Sequence, residues 1–315
     1  MSLILGVDGG GTKTHAVISD ETGRTLGEGF GGPTNIDDHD LETASLNLGY
    51  AIQQARANAK LEPGAFPAAF SAAFLGIAGV VSEADRGLVR ELARRLELCS
   101  PEHLGVDHDA RVALVGGLSN RPGLVLIAGT GSACFGLGAG GERHLAGGWG
   151  HVLADEGSGY WLGLEALRAA VRGFDGRGQR SSLERRALDF LGIRTPEEIM
   201  HRVYVVGLSR SELAAFAPTM LEVAASGDPV AGEIVELGAK ALAETVEVTA
   251  ARTKLVAPEI VMVGGILKSE VMLEPLRAHL LARLPEMRLV VAEQSPAHGA
   301  CLLARSLLRL ETEGF

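Results

Sequence analysis

The chain has little of what several large protein classes require. It holds only three cysteines, Cys99, Cys134 and Cys301, among 315 residues. They lie far apart and form no CxxC pair, no zinc spacing and no disulfide framework. A reduced, cytoplasmic setting is therefore expected. No long run of Lys or Arg occurs and the formal net charge is −10, so nucleic acid and anionic membranes are poor partners. No apolar run reaches the ~20 residues that a membrane helix needs. The first residues, MSLILGVDGG, lack the basic region and long apolar stretch of a signal peptide, and no low-complexity linker interrupts the chain.

Hydrophobic residues make up 46% of the chain, enough for one large or two medium domains with a real core. Glycine is plentiful, with 42 residues, and it clusters at the ends of apolar runs, where backbone must approach something closely. Leu3–Val7 reads as a buried strand, Thr14–Asp20 as a second and TLGEGF as a third, with ETGR as the turn between the last two. Helical spacing follows over Leu41–Ala59 and over an amphipathic stretch opened by Ser82 as N-cap. LGVDHDARVAL reads as strand, acidic corner and helix. The opening pattern then returns in GLVLIAGTGSACFGLGAGGERHLAGG, which predicts an internal duplication: two related α/β halves, each with one glycine loop. The later part is mostly helical, over Tyr160–Arg172 and Arg210–Val256, broken by the glycine-ended strand IVMVGG. A last helix is expected to begin with Ser295 as N-cap and Pro296 at its first position. The boundary between the halves is expected near Ala113.

The first loop, GVDGGGTKT, fails two familiar phosphate motifs. In a P-loop, Lys would follow the second glycine directly and a helix would come next; here Thr12 precedes Lys13 and a strand follows. In a dinucleotide fingerprint a third glycine would stand at Thr14, again before a helix. What remains is a hairpin tip, Gly10-Gly11-Thr12-Lys13, offering N–H groups and a hydroxyl to a phosphate chain. Asp8 would then face the phosphates through Mg²⁺ or a metal-bound water. Alone, the loop reads equally well as a tight capped turn. The second loop, Gly129-Thr130-Gly131-Ser132, tips the balance, because two such tips on duplicated halves suit one triphosphate.

Together GVDGGGTKT, PTNID, DHDARVAL, IAGTGS, GGWGHVLADEGSGYW and VGGILKS resemble, in order and over nearly the whole chain, the N-acetylglucosamine kinases of the BadF/BadG/BcrA/BcrD ATPase family. The resemblance implies an α/β fold of two duplicated ribonuclease H-like (actin-like ATPase) domains with a cleft between them. They would span residues 1–113 and 114–315, with a last helix at about 296–310 packing back on the first. ATP and Mg²⁺ would be the cofactors, a sugar the substrate, the 6-hydroxyl the acceptor and a homodimer the assembly. Asp109 would be the catalytic base; taken alone it reads more readily as the cap of a helix opening at Ala110, and Asp107 is its rival. His108 is expected to make a local polar contact. Asn35, Ser132, Gly148, Trp149, Gly150 and Asp155 would line the sugar site, Glu156 would stand behind it, and His151 is read equally as structural. Gly264 and Gly265 would lie against adenine, with Lys268 and Ser269 near the nucleoside.

Two rivals stand beside the kinase. An ATPase activating a dehydratase through an iron–sulfur cluster would need shared cysteine ligands, and Cys134 after the second loop is its one foothold. A DNA-binding sugar sensor would need a helix-turn-helix, for which the sequence leaves no room ahead of the first strand.

Overall fold

The computed structural model describes residues 2–37, 40–59 and 69–312. The chain divides into two compact units, Met1–Val125 with Val290–Phe315, and Leu126–Leu289.

The first unit is built on β1 (Leu3–Gly9), β2 (Thr14–Asp20), β3 (Thr25–Gly31), β4 (Ala72–Ile77) and β5 (Leu104–Asp107). They form a sheet in the order β3-β2-β1-β4-β5. The first three strands are an antiparallel meander, and β4 and β5 run parallel to β1. Both faces are covered, which is why β1 and β4 read as continuous apolar runs. Leu3, Leu5 and Val7 point to the face packed by α1 (Leu41–Asn58) and α2 (Glu83–Arg95). Ile4 points to the other face, with Val112 of α3 (Asp109–Leu118) and Ala297, Ala300 and Cys301 of the last helix, α11 (Pro296–Thr312). Gly6 permits that second packing: a Cβ there would collide with the Ala297 carbonyl and the Cys301 backbone. Ser82 closes a full capping box with Asp85 at the start of α2.

The second sheet, of β6 (Gly123–Ala128), β7 (Ser132–Leu137), β8 (Arg143–Gly147), β9 (Glu259–Val263) and β10 (Arg288–Val290), has the order β10-β9-β6-β7-β8. Read from its other edge, this repeats the order of the first sheet strand for strand. The helices are α4 (Gly159–Phe174), α5 (Leu183–Leu191), α6 (Glu198–His201), α7 (Arg210–Ala214), α8 (Ala217–Ala225), α9 (Pro229–Arg252) and α10 (Glu270–Arg283). The long helical stretch expected after Arg210 is thus three helices. Pro218 sits in the first turn of α8, and Asp228 caps α9 with Pro229 at its first position, so each proline starts a new helix rather than continuing the old one. The chain divides at 125/126 rather than at the expected 113/114. A cut after Ala113 would split α3, whose Val112 and Val115 share one apolar cluster with α11.

Candidate active site

In the first unit, the β1–β2 hairpin closes with Gly9 opposite Thr14, leaving Gly10–Lys13 as its tip. The Gly10 N–H donates to the Lys13 carbonyl at 3.0 Å, and the Gly10 carbonyl accepts from Thr34 N–H at 3.1 Å and Asn35 N–H at 3.3 Å. The loop after β3 is therefore pinned to the Gly10–Lys13 tip through one carbonyl. Thr14 Oγ1 donates to the Gly32 carbonyl at 2.7 Å and lies 3.0 Å from the Thr34 hydroxyl. Asn35 is buried, and its Oδ1 accepts from the Asp37 N–H at 2.9 Å. Thr12 and Lys13 are exposed at the tip.

Three acidic positions surround this loop, and they differ sharply. Asp107, at the end of β5, takes Arg86 Nη2 at 3.1 Å, Arg111 Nη1 at 2.6 Å and the His108 N–H at 2.9 Å. Burial alone would raise its carboxyl, but the Arg111, His108 and Arg86 hydrogen bonds outweigh burial and hold it below the usual range. Asp107 is a strut between helices. Asp109 is the first residue of α3 and caps nothing, because His108 is the N-cap and its Nδ1 accepts from Ala110 N–H. Asp109 Oδ1 is buried without a hydrogen-bond partner. Asp8, at the end of β1, is pushed up to about 7, first by burial and then by the Asp109 charge, with Lys13 opposing. Two carboxylates thus meet where a strand tip and a helix start converge, with less positive charge than they need. That deficit suits a divalent cation, and Mg²⁺ is usually held by one or two carboxylates plus substrate phosphates.

In the second unit the loop is held from behind. Gly129 N–H donates to the Gly131 carbonyl at 2.9 Å, while Gly159 and Tyr160, opening α4, donate to the Gly129 and Thr130 carbonyls at 2.7 and 3.2 Å. Ser132 N–H donates to Asp155 Oδ1 at 2.9 Å, and the Ser132 hydroxyl donates to the Glu156 carbonyl at 2.9 Å. Asp155 Oδ2 accepts from Arg210 Nη2 at 2.7 Å, and Asp155 is only 2% exposed. Neither Asp155 nor Glu156 caps α4; Ser158 does. Arg210, 55 residues beyond Asp155, had no signal in the sequence except the capping box of Ser209 and Glu212 beside it. Gly264 packs directly on the loop, since a Cβ there would meet the Ala128 carbonyl, whereas Gly265 borders open space. The Ser269 hydroxyl caps no helix, and Lys268 ends a short 3-10 turn before α10.

Trp149 is 67% exposed, between Gly148 and Gly150 at φ +70° and +81°, a backbone that excludes ordinary side chains on either side of the indole. Val152 and Leu153 are exposed beside it in sequence. His151 is exposed and its ring lies edge-on to Tyr160 at 4.9 Å. Cys134 is fully enclosed in β7, where burial pushes its thiol up to about 12. A thiol so far from ionising is a poor cluster ligand. Among the described residues no three His, Cys, Asp or Glu gather as a metal site, and no helix is long and apolar enough to cross a membrane.

The family described as the BadF/BadG/BcrA/BcrD ATPase family matches residues 5–304. The N-acetylmuramic acid/N-acetylglucosamine kinase of Clostridium acetobutylicum is 32% identical, over 97% of this chain and 99% of its own. The N-acetyl-D-glucosamine kinase of Dictyostelium discoideum is 29% identical, over 96% of this chain and 97% of its own. A solved structure from Chromobacterium violaceum, described as an inferred N-acetylglucosamine kinase, superposes with a TM-score of 0.80 at 26% identity, covering 96% of this chain and 99% of that one.

Proposed function

The chain belongs to the BadF/BadG/BcrA/BcrD ATPase family, and we propose that it is an ATP-dependent kinase of amino sugars. N-acetylglucosamine or a close relative is the substrate and the 6-hydroxyl the acceptor. The observation that carries this reading is the Asp8–Asp109 pair: a carboxylate raised to about 7 at the end of β1, by burial first and then by the Asp109 charge.

Phosphoryl transfer to an alcohol asks for a positioned nucleotide, stabilised negative charge and a carboxylate that accepts the hydroxyl proton. Asp109 is that acceptor, because Asp107 is committed to two arginines. Asp8 holds Mg²⁺, which when bound neutralises phosphate charge. The N–H groups of Gly10 and Gly11, the Thr12 hydroxyl, Lys13 and the Gly129–Gly131 loop serve the phosphates. Asn35, Ser132 and the Gly148–Gly150 backbone bind the sugar, with Trp149 as its apolar wall. Asp155 acts mainly by holding the second loop through Ser132 and Arg210. Gly264, Gly265 and Ser269 serve the nucleoside. A cytoplasmic setting, suited to three free thiols, and a homodimer complete the reading.

The test is a coupled ADP-release assay with N-acetylglucosamine, N-acetylmuramic acid, glucosamine and glucose, for wild type and Asp109→Asn. Turnover that requires one of the amino sugars and is lost in Asp109→Asn is expected. ATP turnover that ignores the sugar and survives the substitution would overturn the proposal.

A further inference from the structure

His108 Nδ1 is held in two contacts that need different occupants, a lone pair for one and a proton for the other. Its Nδ1 accepts the Ala110 N–H at 3.1 Å, capping α3. The same nitrogen lies 2.7 Å from Asp109 Oδ1. A ring nitrogen carries either a proton or a lone pair. With a lone pair it caps Ala110 and confronts the carboxylate oxygen with like charge density. With a proton it donates to Oδ1, which is otherwise buried without a hydrogen-bond partner.

We propose that His108 is a positioning residue for Asp109: its imidazolium ties down Oδ1 and leaves Oδ2 to receive the proton of the sugar hydroxyl. The inference rests on Asp109 being the base. As the acceptor oxygen bonds to phosphorus, its proton passes to Asp109 Oδ2 and the bond from phosphorus to the ADP oxygen breaks. The His108 proton stays on Nδ1 throughout, so the imidazole orients and does not relay. Deprotonation to the Nε2–H tautomer, which the Ala110 N–H favours by donating to Nδ1, releases the carboxylate and returns Nδ1 to the helix cap.

The surroundings favour the charged ring. Asp109 and Asp107 flank it on its own segment, and Asp37 faces it from the loop after β3. Arg111 of α3 and Arg86 of α2 are engaged with Asp107, and Asp8 at the end of β1 adds negative charge beside Asp109. Burial alone would lower the His108 pKa, but the Asp109 charge and contact, then Asp107 and Asp37, outweigh it and raise it.

The experiment measures kcat and KM for sugar and ATP between about pH 6 and 9 in wild type, His108→Asn, His108→Ala and Asp109→Asn, with thermal melts of each. Wild-type kcat should fall as pH rises through the raised His108 pKa. In His108→Asn the amide oxygen still caps Ala110, so the melt should stay close to wild type. Its kcat should drop roughly ten-fold at neutral pH, the low end of what loss of an orienting partner costs, with both KM values nearly unchanged and the alkaline limb gone. His108→Ala should show the same flattened profile plus a lower melt. Asp109→Asn that keeps sugar-dependent turnover would overturn the assignment of the base, and this inference with it. An inactive Asp109→Asn beside a His108→Asn enzyme with the wild-type pH profile would overturn the positioning role alone.

Discussion

The two glycine loops share a strand–loop–strand plan and are held in opposite ways. The Gly10–Lys13 tip is fastened by its own neighbours: one Gly10 carbonyl takes both Thr34 and Asn35, and Thr14 ties back to Gly32. It stands beside unsettled charge, with Asp8 raised to about 7 by burial and by the Asp109 charge. The Gly129–Gly131 tip is fastened by the start of α4, and the Asp155 carboxylate beside it is bonded by Ser132 and Arg210. Duplication supplied two cradles, and only one kept titratable groups in tension.

The sharpest way to break this comparison is to neutralise one acid on each side. Asp109→Asn should cost ~10²–10⁴-fold in kcat with little change in melting temperature. Asp155→Asn should do the reverse. It removes the carboxylate that the buried Arg210 guanidinium meets at 2.7 Å, which should lower stability, read as a fall in the melt. Asn tolerates the left-handed backbone at φ +71° that Asp155 adopts, so the effect isolates the charge. Equal phenotypes for the two would erase the distinction.

The next effect concerns Asp8 in magnesium-free protein. Its folded pKa is raised to about 7, so stability is fully present below the ordinary carboxylate pKa and is lost as pH rises through about 7. The ionised form costs on the order of 4 kcal/mol. Asp8→Asn should melt like wild type near pH ~4 and progressively higher above it, levelling off beyond pH ~7; a pH-independent difference would contradict the charge tension at the first loop. Smallest is Thr14→Val, which leaves the Gly32 carbonyl without its donor and should cost about 1–2 kcal/mol while raising KM for ATP more than KM for sugar.

Sequence patterns carried the local structure well. The hairpin character of GVDGGGTKT, its echo after Gly123, the Ser82 cap and the Pro296 helix start all depend on residues within a few positions of each other. Identical strand order in the two sheets bears out the duplication. Partnerships across distance were not legible. Arg210 reaches Asp155 from 55 residues away, and Arg86 reaches Asp107 from 21; no periodicity encodes such pairs. The cap of α3 was ambiguous for a different reason: Asp109 and His108 can both accept a backbone N–H, and only the rotamers decide that His108 does so.

The central claim is that the γ-phosphate of ATP goes to a sugar oxygen and not to water. The most direct measurement is the ³¹P NMR spectrum of the protein incubated with MgATP and N-acetylglucosamine. A phosphomonoester resonance coupled to the protons on the sugar's carbon 6, growing in step with ADP, is the predicted result. Inorganic phosphate appearing alone at the same rate would contradict it.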